Sequence, residues 1–272
     1  MIVSAGPGTG ILDIARVDRR SVVRRAFATS PLRWLTPRNH GPAAWVYASS
    51  HGGGLVGGDT LGLTVNIGAG ASAFVSSQAS TKIYRSHDCT SAELTAKVSA
   101  GGHLVLWPDP VVCYAGSTFR QAQCVDLDED ASLILVDTMT SGRRASGERW
   151  QFVEYANRIT VRQDGRVVLF DSTRLSGIEG HLAARMGRFD VLSSVAIVGP
   201  RFRENVRTIA ETIAARPVER RADLLVSAAP LGDSGWLLRV IGRSTEQVAG
   251  VVRGYLSFLS CVLGDDPWTR KW

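Results

Sequence analysis

A short pattern recurs through the middle of the chain and constrains its fold more than any other feature. Each copy ends one apolar segment, turns through residues rich in Gly, Asp or Ala, and begins a second apolar segment. The copies start at Ile67, Val98 and Leu127, and more loosely at Val161, so they are 31, 29 and 34 residues apart. A unit of this size cannot bury its apolar face alone. The repeat therefore predicts strands stacked in a β-helix-like or sandwich-like array.

Alternating polarity extends the strand prediction to about residue 200. Between Leu61 and Ile67 every second residue is apolar, and Gly, Thr and Asn stand between them. This period of two is typical of a half-buried strand. Similar alternation fills the intervals between the repeats, as in residues 118–127. We expect the fold to be mainly β.

The period changes to that of an α-helix after residue 200. Residues 203–216 carry apolar side chains at a spacing of 3.6 and are followed by Pro217, which cannot continue a helix. Residues 244–263 repeat this spacing, with a capping serine at the start and Gly264 at the end. The sequence thus predicts two α-helices in the C-terminal half, with a hairpin between them.

The organisation of the chain is that of an ordinary globular protein. Hydrophobic residues make up 44% of the chain and charged residues 21%, which is typical of soluble domains. No apolar run approaches the length of a membrane span, and Gly and Pro interrupt the N-terminal segment. No linker rich in Pro, Ser or charge divides the chain. We predict one cytoplasmic domain, residues 1–272, without a membrane partner.

A glycine-rich loop admits three interpretations, of which two require a bound nucleotide. It holds five glycines, Gly52, Gly53, Gly54, Gly57 and Gly58. A dinucleotide-binding fingerprint needs a helix after its glycines, but a strand pattern follows here. A triphosphate loop needs a lysine where Asp59 stands, and a carboxylate would repel the phosphates. Both nucleotide-binding interpretations are disfavoured.

The third interpretation is an esterase-like hydrolase. His51 followed by three glycines is similar to an oxyanion-hole loop, which requires a nucleophile in a G-x-S-x-G motif elsewhere. The chain has no such motif, and Gly232–Gly235 is the nearest approach. A basic hydrolase that uses the His51 loop remains one alternative function.

The positive charge indicates an anionic partner. The formal net charge is +6, and arginine, which suits bidentate contacts to carboxylates and phosphates, supplies most of the basic residues. Basic residues come in pairs and form no dense run interleaved with aromatics, as a nucleic-acid surface would require. A protein-binding surface is favoured, and a nucleic-acid-binding module is the second alternative.

No compact set of metal ligands is visible in the sequence. His87 and Cys89 would share one face of a strand, but they supply two ligands at most. The four cysteines contain no C-x-x-C pair, so we interpret them as free thiols.

Two motifs together resemble the signature of a known family. The chain reads GGGLVGGD at residues 52–59 and SQASTKIYRS at residues 77–86, and this combination is similar to the urease accessory protein UreD family, also called UreH. Further segments stand in the family's order: LWPDP at 106–110, FRQ at 119–121, SGRRASGER at 141–149 and PWTR at 267–270. The resemblance covers the chain from about residue 12 to its end.

The resemblance implies a non-enzymatic protein with a mainly β stack of strands and two helices. Members of the family bind the urease apoprotein and recruit UreF, which in turn recruits the GTPase UreG. The assembly delivers nickel to the urease active site. We therefore expect a urease maturation factor that has no tightly bound cofactor, handles Ni²⁺ transiently and binds neither nucleic acid nor membrane. The five glycines would then have the structural role of turning and packing the backbone.

A cation in transit needs weak and replaceable ligands, such as carboxylates, hydroxyls and carbonyls. Within the matching segments, the side chains able to act in this way are Asp59, Thr81, Asp109, Glu148 and Asp171. Each also has an ordinary structural interpretation, in a turn, on a strand surface or in an ion pair. Cys113, which departs from the family pattern, is a further residue that could capture the metal transiently.

Partner-binding residues are expected in two of the motifs. Contact surfaces typically carry side chains with a polar head on an apolar stem. They also often include exposed loops, such as one with paired arginines between Gly and Ser. These residues are Lys82, Tyr84, Arg85, Arg143, Arg144 and Arg149.

Overall fold

The computed structural model describes residues 6–38 and 41–270. Strands account for 48% of the chain and helices for 16%, which confirms the prediction of a mainly β fold. The strands form two large sheets. None of the helices among the described residues is both long and apolar enough to cross a membrane.

The first sheet has seven strands in the order β14-β13-β11-β8-β5-β1-β2. Its middle strands pair in parallel, and an antiparallel pair lies at each edge. The strands are β1 (Thr9–Val17), β2 (Arg20–Ala28), β5 (Thr60–Ile67), β8 (Thr90–Val98), β11 (Thr118–Leu127), β13 (Glu154–Gln163) and β14 (Arg166–Ser176).

The second sheet has ten strands, of which eight follow the order β16-β17-β15-β12-β9-β6-β4-β3. Two short strands, β7 and β10, pair with each other, and β10 also pairs with β12. The strands are β3 (Leu32–Leu35), β4 (Ala44–Ser50), β6 (Ser72–Ser77), β7 (Thr81–Ile83), β9 (His103–Leu106), β10 (Val111–Cys113), β12 (Ser132–Thr140), β15 (Val191–Val198), β16 (Leu224–Pro230) and β17 (Gly235–Gly242).

The predicted repeat corresponds to passages from the first sheet to the second. The turns after Ile67, Val98 and Leu127 connect β5 to β6, β8 to β9 and β11 to β12. Equivalent strands then pair in parallel, for example Ile67 with Val98. The first three copies are confirmed as stacked layers.

The fourth copy, which starts at Val161, is wrong as a member of the repeat. Asp164 and Gly165 both have positive φ values, 48° and 74°, as a tight hairpin turn requires. Strand β14 therefore returns antiparallel beside β13 in the same sheet.

The apolar residues form two large layers and one smaller cluster. The first layer lies between the two sheets and includes Leu12, Val65 and Leu133. The second lies between the ten-stranded sheet and the C-terminal helices, and includes Phe74, Ile197 and Val252. The smaller cluster contains Leu55 and Ile83, which lie within the two motifs at 52–59 and 77–86, and buried residues of neighbouring segments such as Trp150.

Four α-helices lie among the described residues, namely α1 (Leu182–Met186), α2 (Arg203–Ala214), α3 (Thr245–Tyr255) and α4 (Leu259–Leu263). The prediction of α2 is confirmed, but α1 was not expected. The Ser244 side chain accepts a hydrogen bond from Gln247 N, as predicted for a helix cap. The prediction of one continuous helix over 244–263 is wrong, since the chain breaks into α3 and α4 just after Gly254, a poor helix former.

Two neighbouring strands of the ten-stranded sheet are interrupted at the same level. Strand β6 ends at Ser77 and β7 begins at Thr81, while β9 ends at Leu106 and β10 begins at Val111. The second interruption contains Pro108 and Pro110, and proline has no N–H for a ladder hydrogen bond. Strand β12 runs without a break beside this position. The sheet therefore has a slot between β6–β7 and β12.

Candidate functional site

The glycine-rich loop packs against the segment that follows β7. Leu55 N donates to Lys82 O at 2.8 Å, and Tyr84 N donates to Leu55 O at 2.9 Å. A Cβ on Gly54 would lie 2.6 Å from both Lys82 O and the Tyr84 ring, which is too close for any side chain. Strand β5, not a helix, follows the loop, so no helix N-terminus is available there for a pyrophosphate.

The five glycines divide into two kinds. Gly54 and Gly57 lack room for a Cβ, because residues 82–88 approach them closely. Gly52, Gly53 and Gly58 have open space but positive φ values of 85°, 74° and 85°, which side chains rarely adopt. Both kinds serve the path of the backbone.

Asp59 closes the turn at the end of this loop. Its Oδ2 accepts a hydrogen bond from Val56 N at 2.9 Å, and Thr90 Oγ1 donates to Val56 O at 3.0 Å. The half-buried carboxylate therefore has a local backbone partner.

Two tyrosines and an ion pair join residues 77–86 and 141–149 on one surface. The Tyr84 and Tyr114 rings pack edge to face with centroids 5.2 Å apart. The Arg143 guanidinium carbon lies 4.0 Å from the centre of the Tyr114 ring, a cation–π geometry. Glu148 completes this group, which we call the tyrosine–arginine cluster (Tyr84, Tyr114, Arg143 and Glu148).

Glu148 is held in its charged form within the cluster. Arg143 Nε donates to Glu148 Oε2 at 3.1 Å, and a second contact joins Arg143 Nη2 to Oε1. Ala115 N also donates to Oε2 at 3.1 Å. The hydrogen bonds from Arg143 lower the pKa of Glu148, with a smaller contribution from Ala115 N. Lys82 and Arg85 are exposed beside the cluster, and the Arg85 side chain packs along Gly116.

The arginines of the 142–149 loop differ in environment. Arg149 Nε donates to Asp190 Oδ1 at 2.6 Å, and its Nη atoms donate to the carbonyls of residues 183, 187 and 189. Its side chain is 23% exposed, against 58% for Arg144 and 44% for Arg143. The guanidinium of Arg149 thus fastens its loop to α1 and to the segment after it. Arg144 Nε also lies 3.4 Å from Asp190 Oδ2, but the side chains of Arg143 and Arg144 are more exposed than that of Arg149.

A cavity of about 240 Å³ lies between the two sheets beneath these motifs. Apolar side chains such as Leu32 and Trp34 line one part of it. The polar side chains in its lining include Ser77, Thr81, Asp109, Gln121, Gln123, Asp137 and Thr138. The cavity combines hydroxyl, amide and carboxylate oxygens within an apolar surround.

Asp137 is the buried carboxylate of this cavity, and sequence reasoning missed it. Gln121 Nε2 and Gln123 Nε2 donate to Oδ1 at 3.0 and 3.1 Å. Asn157 Nδ2 and the Tyr155 hydroxyl donate to Oδ2 at 2.9 and 3.2 Å. Burial raises the pKa of Asp137, and the hydrogen bonds from Gln121, Tyr155 and Gln123 oppose the shift. No arginine or lysine is among these hydrogen-bond donors.

A polar row continues from Asp137 across the interior. Strand register aligns Asp137 with Ser194 and Ser194 with Arg239. Arg239 donates to Ser194 Oγ at 3.1 Å and forms an ion pair of 2.6 Å with Asp171 Oδ1. Asp171 therefore belongs to the same interior layer as Asp137, but its charge is matched by Arg239.

A second cavity, of about 380 Å³, lies on the helix side of the ten-stranded sheet. It shares Ser80, Pro108, Asp109 and Thr138 with the first cavity, so the two meet at the slot in the sheet. Ser77 Oγ donates to Asp109 Oδ2 at 3.0 Å and accepts from Asp109 N at 2.7 Å across this slot.

A model of the UreD urease accessory protein family matches residues 7–272. The chain belongs to the UreD family. It is 52% identical over 267 residues to the urease accessory protein UreD of Sorangium cellulosum, covering 97% of this chain and 84% of that protein. It is 46% identical over 265 residues to that of Anaeromyxobacter sp., covering 97% and 89%. It is 31% identical over 290 residues to urease accessory protein D of Oryza sativa subsp. japonica, covering 96% and 94%.

Membership of the UreD family supports a role in urease maturation and implies an accessory factor rather than a catalyst. The resemblance of residues 52–59 and 77–86 to this family is thereby confirmed. The geometry explains why these motifs occur together, since residues 52–58, 82–86 and 142–149 meet around the tyrosine–arginine cluster.

The side chains that we predicted as weak metal ligands do not converge. Thr81 and Asp109 line the first cavity, Asp171 lies along the polar row, and Asp59 and Glu148 have partners at the surface. No group of three or more His, Cys, Asp or Glu suited to a metal ion occurs within residues 6–38 and 41–270.

The thiol of Cys113 does not suit metal capture. Cys113 is buried, and burial raises its pKa to about 12, whereas a metal binds the thiolate. His87 is exposed and Cys89 is half-buried.

Proposed function

We propose that this chain is a cytoplasmic docking scaffold for urease maturation, and that Ni²⁺ passes through the cavity between its sheets. The observation that carries the proposal is the Asp137 carboxylate, buried in that cavity and hydrogen-bonded by neutral donors alone. A buried anion without a cationic partner is costly, and a passing cation would compensate its charge.

The chemistry of the cavity suits a cation in transit better than a stored one. Hydroxyl and amide oxygens with a few carboxylates bind nickel weakly and exchange readily, whereas closed sets of thiolates and imidazoles hold it. The cavity offers Thr81, Asp137 and Asp109 along its length. Nickel would be guided by these groups and released without a permanent site.

The slot at Asp109 is the proposed way out of the cavity. The other direction, along the polar row, leads to Arg239, whose positive charge opposes a divalent cation. Asp109 instead lies where the two cavities meet. Asp171, Asp59 and Glu148 lie off this route, and their contacts with Arg239, Val56 N and Arg143 favour structural roles.

The tyrosine–arginine cluster, with exposed Lys82, Arg85 and Arg144, is the proposed surface for protein partners. Aromatic and arginine side chains are enriched at protein interfaces. The partners are the urease apoprotein and a UreF-type protein, which brings the UreG-type GTPase. GTP hydrolysis would then belong to the partner. Arg149 contributes by holding the loop that carries Arg143 and Arg144.

Replacing Asp137 by asparagine separates nickel transfer from folding. A half-turn of the Asn157 side-chain amide would bring its Oδ1, a buried acceptor that has no hydrogen-bond partner, to the position from which Nδ2 now donates. There it could accept a hydrogen bond from the new amide group, and the substitution hardly changes the side-chain volume. We expect Asp137→Asn to co-purify with urease apoprotein and to lower the nickel content of the activated enzyme by about tenfold or more at limiting nickel. Nickel is measured by mass spectrometry after activation with purified UreF, UreG and GTP.

The matched control is Asp126→Asn, which removes an exposed carboxylate on the outer face of the first sheet. It should activate urease as the unmodified chain does. Full nickel loading by Asp137→Asn would rule out the passage, and full activation of urease without this chain would rule out the maturation role.

A further inference from the structure

The positive charge of the chain is concentrated in its first 38 residues. This segment contains seven arginines and two aspartates, a net charge of +5, and the whole chain has +6. The remaining residues have 24 basic and 23 acidic side chains. Five of the seven arginines lie in the β1–β2 hairpin. The Arg16 side chain donates to the carbonyls of Asp18 and Gly70; we call the other four, Arg19, Arg20, Arg24 and Arg25, the arginine edge.

The arginine edge has no acidic partner in the described part of the chain. All four side chains are exposed, and none forms an ion pair with a described residue. Asp13, which pairs in register with Arg25, instead accepts a hydrogen bond from Asn66 Nδ2 at 2.7 Å. Four uncompensated guanidinium groups attract an anion to this hairpin.

The hairpin also ends the seven-stranded sheet. Strand β2 pairs with β1 on one side, and no described strand pairs with its other side. The register places Arg20, Arg25 and Phe27 on the outer face. Phe27 is 38% exposed, and the Arg25 guanidinium carbon lies 5.7 Å from its ring centre. Ser21 N already donates to Pro42 O, and Phe27 O accepts from Trp34 Nε1. Between Ser21 and Phe27 the edge offers backbone groups, positive charge and an apolar contact together.

The positive charge indicates which kind of molecule can bind at this open strand edge. A second copy of this chain would bring its own arginines and be repelled, as charged edges discourage self-pairing. Nucleic acid would match the charge, but it has no strand to pair with the backbone of β2, and charge outside this segment is nearly balanced. An acidic, extended peptide satisfies the backbone and the arginines at once.

We infer that the arginine edge binds an acidic, extended segment of a partner protein, which adds to β2 as a further strand. This surface is distinct from the tyrosine–arginine cluster, and the inference does not depend on nickel transfer. In a bound strand, every second side chain would lie on the outer face of the sheet. Acidic residues at these positions would lie beside Arg20 and Arg25.

The test uses the full chain and a short fluorescent peptide that alternates glutamate with valine. We expect saturable binding that weakens as salt is raised, and slower amide exchange within residues 20–28. Arg24→Glu with Arg25→Glu should weaken binding about tenfold or more, because attractive pairs are replaced by repulsive ones. The matched control, Arg220→Glu with Arg221→Glu, changes two exposed arginines elsewhere and should bind as the unmodified chain does.

Several results would overturn the inference. These are no peptide binding at low salt, equal losses in the two glutamate variants, or binding without protection of residues 20–28. Tighter binding of duplex DNA than of the peptide, lost in the edge variant, would assign the surface to nucleic acid instead. Arg24→Lys with Arg25→Lys guards against misfolding, since it keeps the charge and should retain most of the affinity. A failure of the lysine variant to bind, despite an unchanged melting temperature, would also contradict the inference.

Discussion

Gly54→Ala tests whether the glycine-rich loop owes its composition to close packing. The added Cβ would lie 2.6 Å from Lys82 O, 2.6 Å from the Tyr84 ring and 3.0 Å from Lys82 Cβ. Backbone must therefore shift, and the hydrogen bond from Leu55 N to Lys82 O would be strained or lost. Overpacking costs about 1–3 kcal/mol and a lost hydrogen bond about 1 kcal/mol.

The expected loss for Gly54→Ala is therefore about 2–4 kcal/mol in the free energy of unfolding. For a chain of this size that corresponds to a fall of roughly 4–16 °C in melting temperature, which circular dichroism or a dye-based melt measures readily. The control is Gly62→Ala on strand β5, where an added Cβ meets nothing within 4 Å.

Gly62→Ala should melt at or slightly above the temperature of the unmodified chain, because alanine restricts the unfolded state. If the two variants had the same melting temperature, the close approach of Lys82 and Tyr84 to Gly54 would not contribute to stability. The loop would then need another explanation, such as a bound ligand.

Three further predictions concern other parts of the site. Arg149→Lys should lower stability in urea by about 2 kcal/mol, because lysine cannot reproduce the fork of hydrogen bonds to Asp190 and the loop carbonyls; Arg144→Lys, more exposed, should change it little, and equal effects would contradict the distinction. Cys113 should resist iodoacetamide in the folded chain while exposed Cys261 reacts, as peptide mapping would reveal; early labelling of Cys113 would refute its burial. Burial raises the pKa of Asp137, so its charge destabilises the fold increasingly as the pH rises above about 4, the ordinary range of aspartate. Asp137→Asn should therefore gain stability over the unmodified chain at neutral pH, and this gain should vanish below about pH 4; a gain independent of pH would argue against a raised pKa for Asp137.

Local patterns were sufficient to predict most of the strands. Alternation from Leu61 to Ile67 identified β5, and the glycine and aspartate turns identified the passages between the sheets. The copy at Val161 failed because apolar spacing alone does not distinguish a passage between sheets from a hairpin. The deciding signal was present, since Asp164-Gly165 is a typical two-residue hairpin turn.

The candidate site was predicted less completely, for a physical reason. Residues such as Tyr84 and Arg143 could be selected from motifs, but their convergence on Tyr114 depends on contacts between segments far apart in the chain. Sequence reasoning missed Asp137, although a local signal for it exists. An aspartate within the apolar run of β12 is unusual, because a charged residue is rarely buried in a strand. Its four donors come from β11 and β13, and strand register, which composition does not reveal, brings them together.

The slot beside β12 has a mechanical consequence. Elsewhere in the ten-stranded sheet, parting two strands requires breaking rungs of the backbone ladder. Pro108 and Pro110 have no N–H to donate to the ladder. Between the backbone bonds Trp107 N–Val75 O and Thr81 N–Pro110 O, the two strands are therefore joined through the Ser77 side chain and Asp109. The wall between the two cavities is therefore held by fewer backbone bonds than the layers around it.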